Sequence, residues 1–166
     1  MLLLEVFKAL NELKVRYLVV GGVAGVFYGN PRFTKDLDIL VDLKEANLTR
    51  LVKAFKALRF VPRVPVKAEA LILEENRKRW IQEKGMLAFT FINPADPFDN
   101  TDIMIVSPVP FGKAYRRRKI FKVEGISVPM ASLKDLIFMK KKAGRPQDLQ
   151  DVDILEAVSK IKKSGP

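Results

Sequence analysis

The segment YLVVGGVAGVFYGNPRFTKDLDILVD, Tyr17 to Asp42, joins an apolar run, a glycine pair and two carboxylates one residue apart. Tyr17, Leu18, Val19 and Val20 favour extended backbone and end at Gly21-Gly22, which reads as a buried strand stopped by a tight turn. Val23 to Tyr28 read as a short helix closed by Gly29, so the glycine pair falls at a helix N-terminus. Free backbone N–H groups and the positive end of the helix dipole favour phosphate there, and two missing side chains let it come close. A second strand is expected from Asp36 to Val41. Its period of two puts Asp36 and Asp38 on one face, about 6.5 to 7 Å apart at Cα, and turns Leu37 and Ile39 into the core. Carboxylates so placed can converge on a pair of divalent ions, the usual device for in-line displacement at phosphorus, and their hard oxygens suit magnesium.

Other glycine motifs fail on spacing. With Gly22 and Gly25 as the last two glycines of a dinucleotide-binding G-x-G-x-x-G, the first would fall on Val20, and the chain has no Gly-Lys-Ser or Gly-Lys-Thr for a P-loop. Composition narrows the chemistry further. The 166 residues contain neither cysteine nor histidine, which removes disulfides, thiol nucleophiles, Cys/His zinc sites and every histidine acid or base. Catalysis must then rest on carboxylates, Lys, Arg, Tyr, hydroxyls and a metal.

With 48% hydrophobic residues the chain can bury a real core, and one domain spanning residues 1–166 is expected. Helices and strands alternate in an α/β (α+β) order. A helix is expected near Leu3 to Lys14 and an amphipathic one from Leu43 to Leu58, with Leu48, Leu51, Val52, Phe55 and Leu58 inward. A Pro-punctuated segment, Phe60 to Val66, precedes a polar helical stretch near Ala70 to Glu83 and a strand at Leu87 to Ile92. Residues 60–98 carry no motif. Lys119 to Val123 and Ile126 to Val128 read as a hairpin turning at Glu124-Gly125. Ser132 with Asp135 opens a helix ending near Ala143, and Leu149, Val152, Leu155, Val158 and Ile161 line the last one.

The Gly-Gly turn and the carboxylate pair together resemble the nucleotidyltransferase superfamily that includes DNA polymerase β. Its signature is an apolar residue before Gly-Gly or Gly-Ser, a spacer, then Asp-apolar-Asp-apolar. Val20-Gly21-Gly22 and Asp36-Leu37-Asp38-Ile39 fit it, with thirteen residues between. The resemblance implies a nucleotidyltransferase fold, a mixed β-sheet flanked by helices, and a third carboxylate on a later strand. Asp102, opening the run Ile103 to Val106, is assigned that place, with Asp96 and Asp99 as nearby alternatives in a Pro-rich loop. Asp135-Leu136-Ile137, Lys140, Ala143-Gly144-Arg145, Asp148 and Asp151 are similar to the C-terminal element of small bacterial and archaeal proteins of this fold, some of them in toxin-antitoxin pairs. Helices from about residue 132 would then pack on the rest of the domain.

What the resemblance implies is a magnesium-dependent transfer of an NMP group from ATP or another NTP to an acceptor hydroxyl on RNA, protein or a small molecule. Asp36, Asp38 and Asp102 would hold two magnesium ions, Gly21 and Gly22 would cradle the triphosphate, and Arg32, Lys140 and Arg145 would neutralise it. Thr34 reads as a loop hydroxyl with a local bond, and Asp148, Asp151 and Asp153 as complements of a helix dipole. The alternative is a non-catalytic or antitoxin-like binding module that keeps the fold and binds a cognate protein. The net charge of +11, with clusters at Arg77 to Arg79, Arg116 to Lys119, Lys140 to Lys142 and the tail lysines, fits a polyanion such as RNA. Leu2-Leu3-Leu4 meets Glu5 at once, so neither a targeting segment nor a membrane span is expected, and a cytoplasmic location is. The residues leave the acceptor, the choice of NTP and the oligomeric state open.

Overall fold

In the computed structural model, which describes residues 2–165, period-two alternation sorts the central strands between two unequal layers. In β1 (Tyr17–Val20) and β2 (Leu37–Val41), Tyr17, Val19, Leu37, Ile39 and Val41 belong to the main core, while Leu18, Val20 and Leu40 belong to a smaller one. The main core receives Val6, Phe7 and Leu10 of α1 (Leu2–Glu12), Leu48, Leu51, Val52 and Phe55 of α3 (Glu45–Ala57), and Trp80 of α4 (Glu74–Lys84). The smaller core is covered by Ala114 of α5 (Phe111–Arg116) and Met139 of α6 (Leu133–Ala143). Between β1 and β2 lies α2 (Gly21–Phe27). Because the second layer is thinner, it leaves part of that sheet face open.

One seven-stranded mixed sheet runs through the protein. Beyond β1 and β2 it contains β3 (Val61–Pro62), β4 (Ala88–Asn93), β5 (Asp96–Met104), β6 (Lys119–Val123) and β7 (Ile126–Met130), in the order β3-β4-β5-β2-β1-β7-β6. β5 runs parallel to β2 and β7 parallel to β1, and the remaining neighbours are antiparallel. The chain closes with α6 and α7 (Pro146–Lys163), which pack against each other.

Local chemistry explains most boundaries. Glu124 (φ +49°) and Gly125 (φ +83°) form the two-residue hairpin turn, both in the left-handed region that such turns require. The Ser132 hydroxyl accepts from the Asp135 N–H at 3.1 Å and starts α6, and Gly144 (φ +66°) ends it before Pro146 opens α7. Residues 60–98 contribute Phe60, Leu71, Trp80, Phe89 and Phe91 to the core. Phe55 stacks on Phe91 at 4.5 Å between centroids, and Trp80 stacks on Phe89 at 5.4 Å.

Several expectations shift. α2 starts at Gly21 rather than Val23, and β2 starts at Leu37, leaving Asp36 as the last exposed loop residue before it. Asp96 and Asp99 belong to the extended start of β5 rather than a loop, through a register shift at Ile92/Asn93. Leu149 and Ile161 are exposed because α7 packs through the face that carries Asp148, Asp151, Val152 and Leu155. α5 and β3 were not expected. α5 has six residues, one of them Gly112, too few for a helical period to show, and it is held by burial of Ala114 and by the Arg16 guanidinium lying over the Phe111 and Tyr115 rings. Among the described residues no helix is long and apolar enough to cross a membrane.

A buried amide ties the central hairpin to the helical layer. Asn47, 2% exposed on α3, accepts from the Arg16 N–H at 2.8 Å and donates to the carbonyls of Arg16 at 3.0 Å and Asp42 at 2.8 Å. Replacing it strands the Arg16 N–H and the Asp42 carbonyl and leaves the Arg16 carbonyl with only the Asp42 N–H at 3.3 Å. Asn47→Ala is therefore expected to lower unfolding stability by about 2 to 4 kcal/mol in a urea titration, against about 0.5 kcal/mol for Thr49→Ala on the exposed side of the same helix.

Candidate active site

The open part of the sheet face carries the carboxylates. Thr90 of β4 pairs with Asp102 of β5, Asp102 with Asp38 of β2, and Asp38 with Val20 of β1, so these four residues form one row across four strands. Asp38 and Asp102 share the face with Leu40 and Met104, opposite the buried Ile39 and Ile103. The Thr90 hydroxyl donates to Asp102 Oδ1 at 2.6 Å and fixes that carboxylate. Thr90 was missed in the sequence because a threonine in an apolar strand carries no signal until its cross-strand partner is known.

Above the row sits the glycine turn. A Cβ on Gly21, whose φ is +65°, would lie 2.1 Å from Asp38 Oδ2, and one on Gly22 would lie 2.5 Å from Thr34 Oγ1. Glycine is thus required by the protein's own side chains as well as by backbone conformation. Thr34 forms the cleft wall against Gly22. The crowding has an electrostatic cost. Burial, and then the negative charges of Asp102 and Asp36, push the Asp38 carboxyl up to about 6, although Lys140 and the Gly22 N–H pull the other way.

Gly21, Gly22, Arg32, Asp36, Asp38, Asp102, Lys140 and Arg145 all line a single cleft of about 820 Å³. Two walls meet there. The segment before β2 brings Arg32 and Asp36, and the α6–α7 junction brings Lys140, Arg145 and Asp148. Asp96 and Asp99 lie outside this cleft, along a separate groove. Among the described residues no three acidic side chains are gathered as a ready-made metal cluster. The hard oxygen donors that the cleft does offer are the Asp38/Asp102 pair, with Asp36 at its edge.

The two walls are joined by Asp151, only 2% exposed. Its carboxylate accepts from Asn30 Nδ2 at 2.8 Å, Arg32 Nε at 3.1 Å and Lys140 Nζ at 2.7 Å. Asp148 lies 2.6 Å from Arg145 Nε and 3.9 Å from Lys140 Nζ. The assignment of Asp148 and Asp151 to a helix dipole alone is therefore corrected, since both hold cleft cations. Lys140, 5% exposed, is tethered rather than free. Arg32 is anchored through Nε, its Nη2 standing 3.0 Å from where a Gly22 Cβ would be, so its fork faces the glycine turn. Two further basic residues are also engaged internally. Arg117 grips Asp135 at 2.6 and 3.0 Å, and buried Arg77 donates to the carbonyls of Leu71 and Ile72 at 2.7 Å.

No known protein-family profile matches the chain, and no curated protein matches it in sequence. Its structure has the nucleotidyltransferase fold. It is similar to the crystal structure of the lincosamide antibiotic adenylyltransferase LnuA with lincomycin bound, at a TM-score of 0.61 and 11% identity, covering 94% of this chain and 95% of that one. It is also similar to the antibiotic-resistance factor ANT(2'')-Ia, at a TM-score of 0.57 and 12% identity over 98% and 91% of the two chains. A Thermotoga maritima protein assigned as a nucleotidyltransferase aligns at a TM-score of 0.54 and 16% identity over 99% and 92%. At these identities the likeness is one of fold.

Asp38 and Asp151 make opposite pH signatures. The folded state holds the Asp38 proton more tightly than the unfolded chain does, so its contribution is best at low pH and is lost as pH rises from about 4 to about 6. Burial also pushes the Asp151 carboxyl up, but hydrogen bonds from Lys140 and Asn30, the Lys140 charge and the Arg32 hydrogen bond outweigh it and hold the group below the ordinary carboxylate range. Its contribution is present at neutral pH and is lost on acidification through that lowered value. In metal-free buffer at pH 7, Asp38→Asn is expected to stabilise the protein by about 2 to 3 kcal/mol, a gain that vanishes below pH of about 4, while Asp151→Asn destabilises it. Denaturant midpoints measured between pH 4 and 8 check both signs.

Proposed function

We propose that the protein is a magnesium-dependent nucleotidyltransferase, moving an NMP group from a nucleoside triphosphate to an acceptor hydroxyl. The observation that carries this reading is the placement of Asp38 and Asp102 side by side on parallel strands, beneath a glycine turn, in a cleft lined by four basic residues, Arg32, Lys140, Lys142 and Arg145. In the reaction the acceptor oxygen bonds to the α-phosphorus, the bond to the β-phosphate bridging oxygen breaks, and pyrophosphate leaves with its charge.

The donor set fits magnesium. Asp36, Asp38 and Asp102 offer hard oxygens, Asp38 has a raised proton affinity from burial and then from the charges of Asp102 and Asp36, which a bound cation would relieve, and Mg²⁺ needs only one or two protein carboxylates when substrate phosphates and water complete its shell. Bound there, the metal supplies charge neutralisation of the triphosphate and activation of the acceptor oxygen. The chain's own groups do the rest. Gly21 and Gly22 present bare backbone to the phosphates, and Arg32, with Nε fixed by Asp151, turns its fork toward the charge that builds on pyrophosphate. Arg145 lines the same wall. Thr90 occupies one oxygen of Asp102 and leaves Oδ2 for the acceptor hydroxyl and its proton.

The structurally similar LnuA is an adenylyltransferase of a lincosamide antibiotic, which supports a small-molecule hydroxyl as one acceptor class beside an RNA end and a protein hydroxyl. The decisive test is an incubation of purified protein with α-labelled NTPs, magnesium and either total RNA or a panel of hydroxylated small molecules. Label should move to an acceptor only with magnesium present. Asp38→Asn and Asp102→Asn should each reduce transfer by roughly a thousandfold or more, while Thr90→Val lowers kcat about tenfold and Thr90→Ser restores it. Wild-type rates in both aspartate variants would sink the catalytic reading and favour a binding module.

A further inference from the structure

Two large apolar side chains stand in solvent near the cleft without lining it. Phe33 is 78% exposed and Phe98 is 69% exposed, in a protein whose other phenylalanines are buried or half-buried apart from Phe138 at 42%. Between them lies Lys35, its Nζ 4.7 Å from the Phe98 ring centroid and 6.0 Å from that of Phe33. The three come from different elements, the segment before β2 and the start of β5, so the sheet rather than the local sequence assembles them. Among the described residues Lys35 enters no ion pair. Of the nearby carboxylates, Asp96 accepts from the Phe98 N–H at 3.1 Å and Asp99 accepts from Asn93 Nδ2 at 3.3 Å, while Asp36 faces the cleft.

Position gives the cluster its meaning. Phe33 and Lys35 flank Thr34, which lines both the carboxylate cleft and the neighbouring groove of about 670 Å³ that holds Lys35 and Phe98. Asp36 is the next residue. Thr34 is thus shared by the cleft and by the groove that Phe98 and Lys35 line.

We propose that Phe33, Lys35 and Phe98 form a stacking platform for unpaired bases of a single-stranded nucleic acid, and that it delivers the strand's terminal hydroxyl to Asp102; this rests on the nucleotidyl-transfer reading of the cleft. Exposed aromatic faces accept any base, and a lysine between them meets the phosphate that joins two stacked nucleotides. A net charge of +11 draws a polyanion to the whole molecule. A protein partner fits less well. Two side chains fall far short of the roughly 800 Å² per partner that a stable interface buries, whereas one or two stacked bases suffice to hold a strand end.

The test measures binding without nucleotide or metal, so its outcome is separable from that of the transfer assay. A fluorescent mixed-sequence single-stranded RNA of about ten nucleotides is titrated with wild type, with the Phe33→Ala/Phe98→Ala double variant, with the Phe33→Trp/Phe98→Trp double variant, and with Lys35→Gln. The surface positions let all four fold, which thermal melts verify. The expected results are a loss of at least about tenfold for the alanine pair, retention for the tryptophan pair, a shallower salt dependence for Lys35→Gln, and unchanged NTP binding throughout. Equal RNA affinity of wild type and the alanine pair, tighter binding of a duplex than of the single strand, or a wild-type dimer that the alanine pair dissolves would each overturn the proposal.

Discussion

The structure turns on one close approach: the Asp38 carboxylate lies where a side chain on Gly21 would have to be. Bringing an ionised group against bare backbone, with a second carboxylate opposite it on the neighbouring strand, is unfavourable in isolation, and burial keeps water from relieving it. Only a rigid frame can maintain such a contact. Three strands supply it. β1 carries Val20 to the turn, β2 carries Asp38, their antiparallel register sets Val20 opposite Asp38, and β5 adds Asp102 from the far side. The large aromatic core behind the sheet holds those strands in register, which is where residues 60–98 contribute although none of them but Thr90 and Leu87 reaches the cleft.

That constraint also explains which parts of the site could be read from the chain. The Gly-Gly turn and the Asp-Leu-Asp pattern are local, and a period of two is enough to place Asp38 opposite the core face. Asp102 was within reach because the resemblance implies a third carboxylate on a later strand and Asp102 opens an apolar run, yet its pairing with Asp38 depends on β5 lying beside β2, a long-range fact. Thr90 and Asp151 were out of reach. Threonine suits any strand, and aspartate in the first turns of a helix already has a sufficient local explanation, so neither residue asks for another. α5 escaped for a related reason, since a six-residue helix containing Gly112 is stabilised by what it packs on rather than by its own periodicity.

Charge was the least legible property. Runs of basic residues look alike in sequence, but the fold gives their members different roles. Arg77 ties down two carbonyls, Arg117 clamps Asp135 at the start of α6, and Lys140 is sealed against Asp151. A net charge therefore overstates the surface available to a polyanion, because several of its contributors are bound to internal acceptors or buried. What remains is more useful for being specific. Arg32 keeps its terminal nitrogens toward the glycine turn because Asp151 takes only Nε.

Asp151 thereby links two problems that a phosphate site must solve together. Cations have to face the proposed ligand, yet in its absence they must not repel one another or collapse onto the carboxylates of the cleft floor. A buried carboxylate that accepts from Asn30, Arg32 and Lys140 answers both, neutralising the wall from behind and fixing the angle at which the guanidinium enters the cleft. The positive wall and the negative floor can then stand on opposite sides of one cavity without forming the direct Arg32–Asp38 or Lys140–Asp38 ion pair that would close it, and among the described residues neither pair is present. The opposite pKa directions of Asp38 and Asp151 are the thermodynamic trace of that separation: one carboxylate lacks a counter-charge in contact with it and the other is fully supplied.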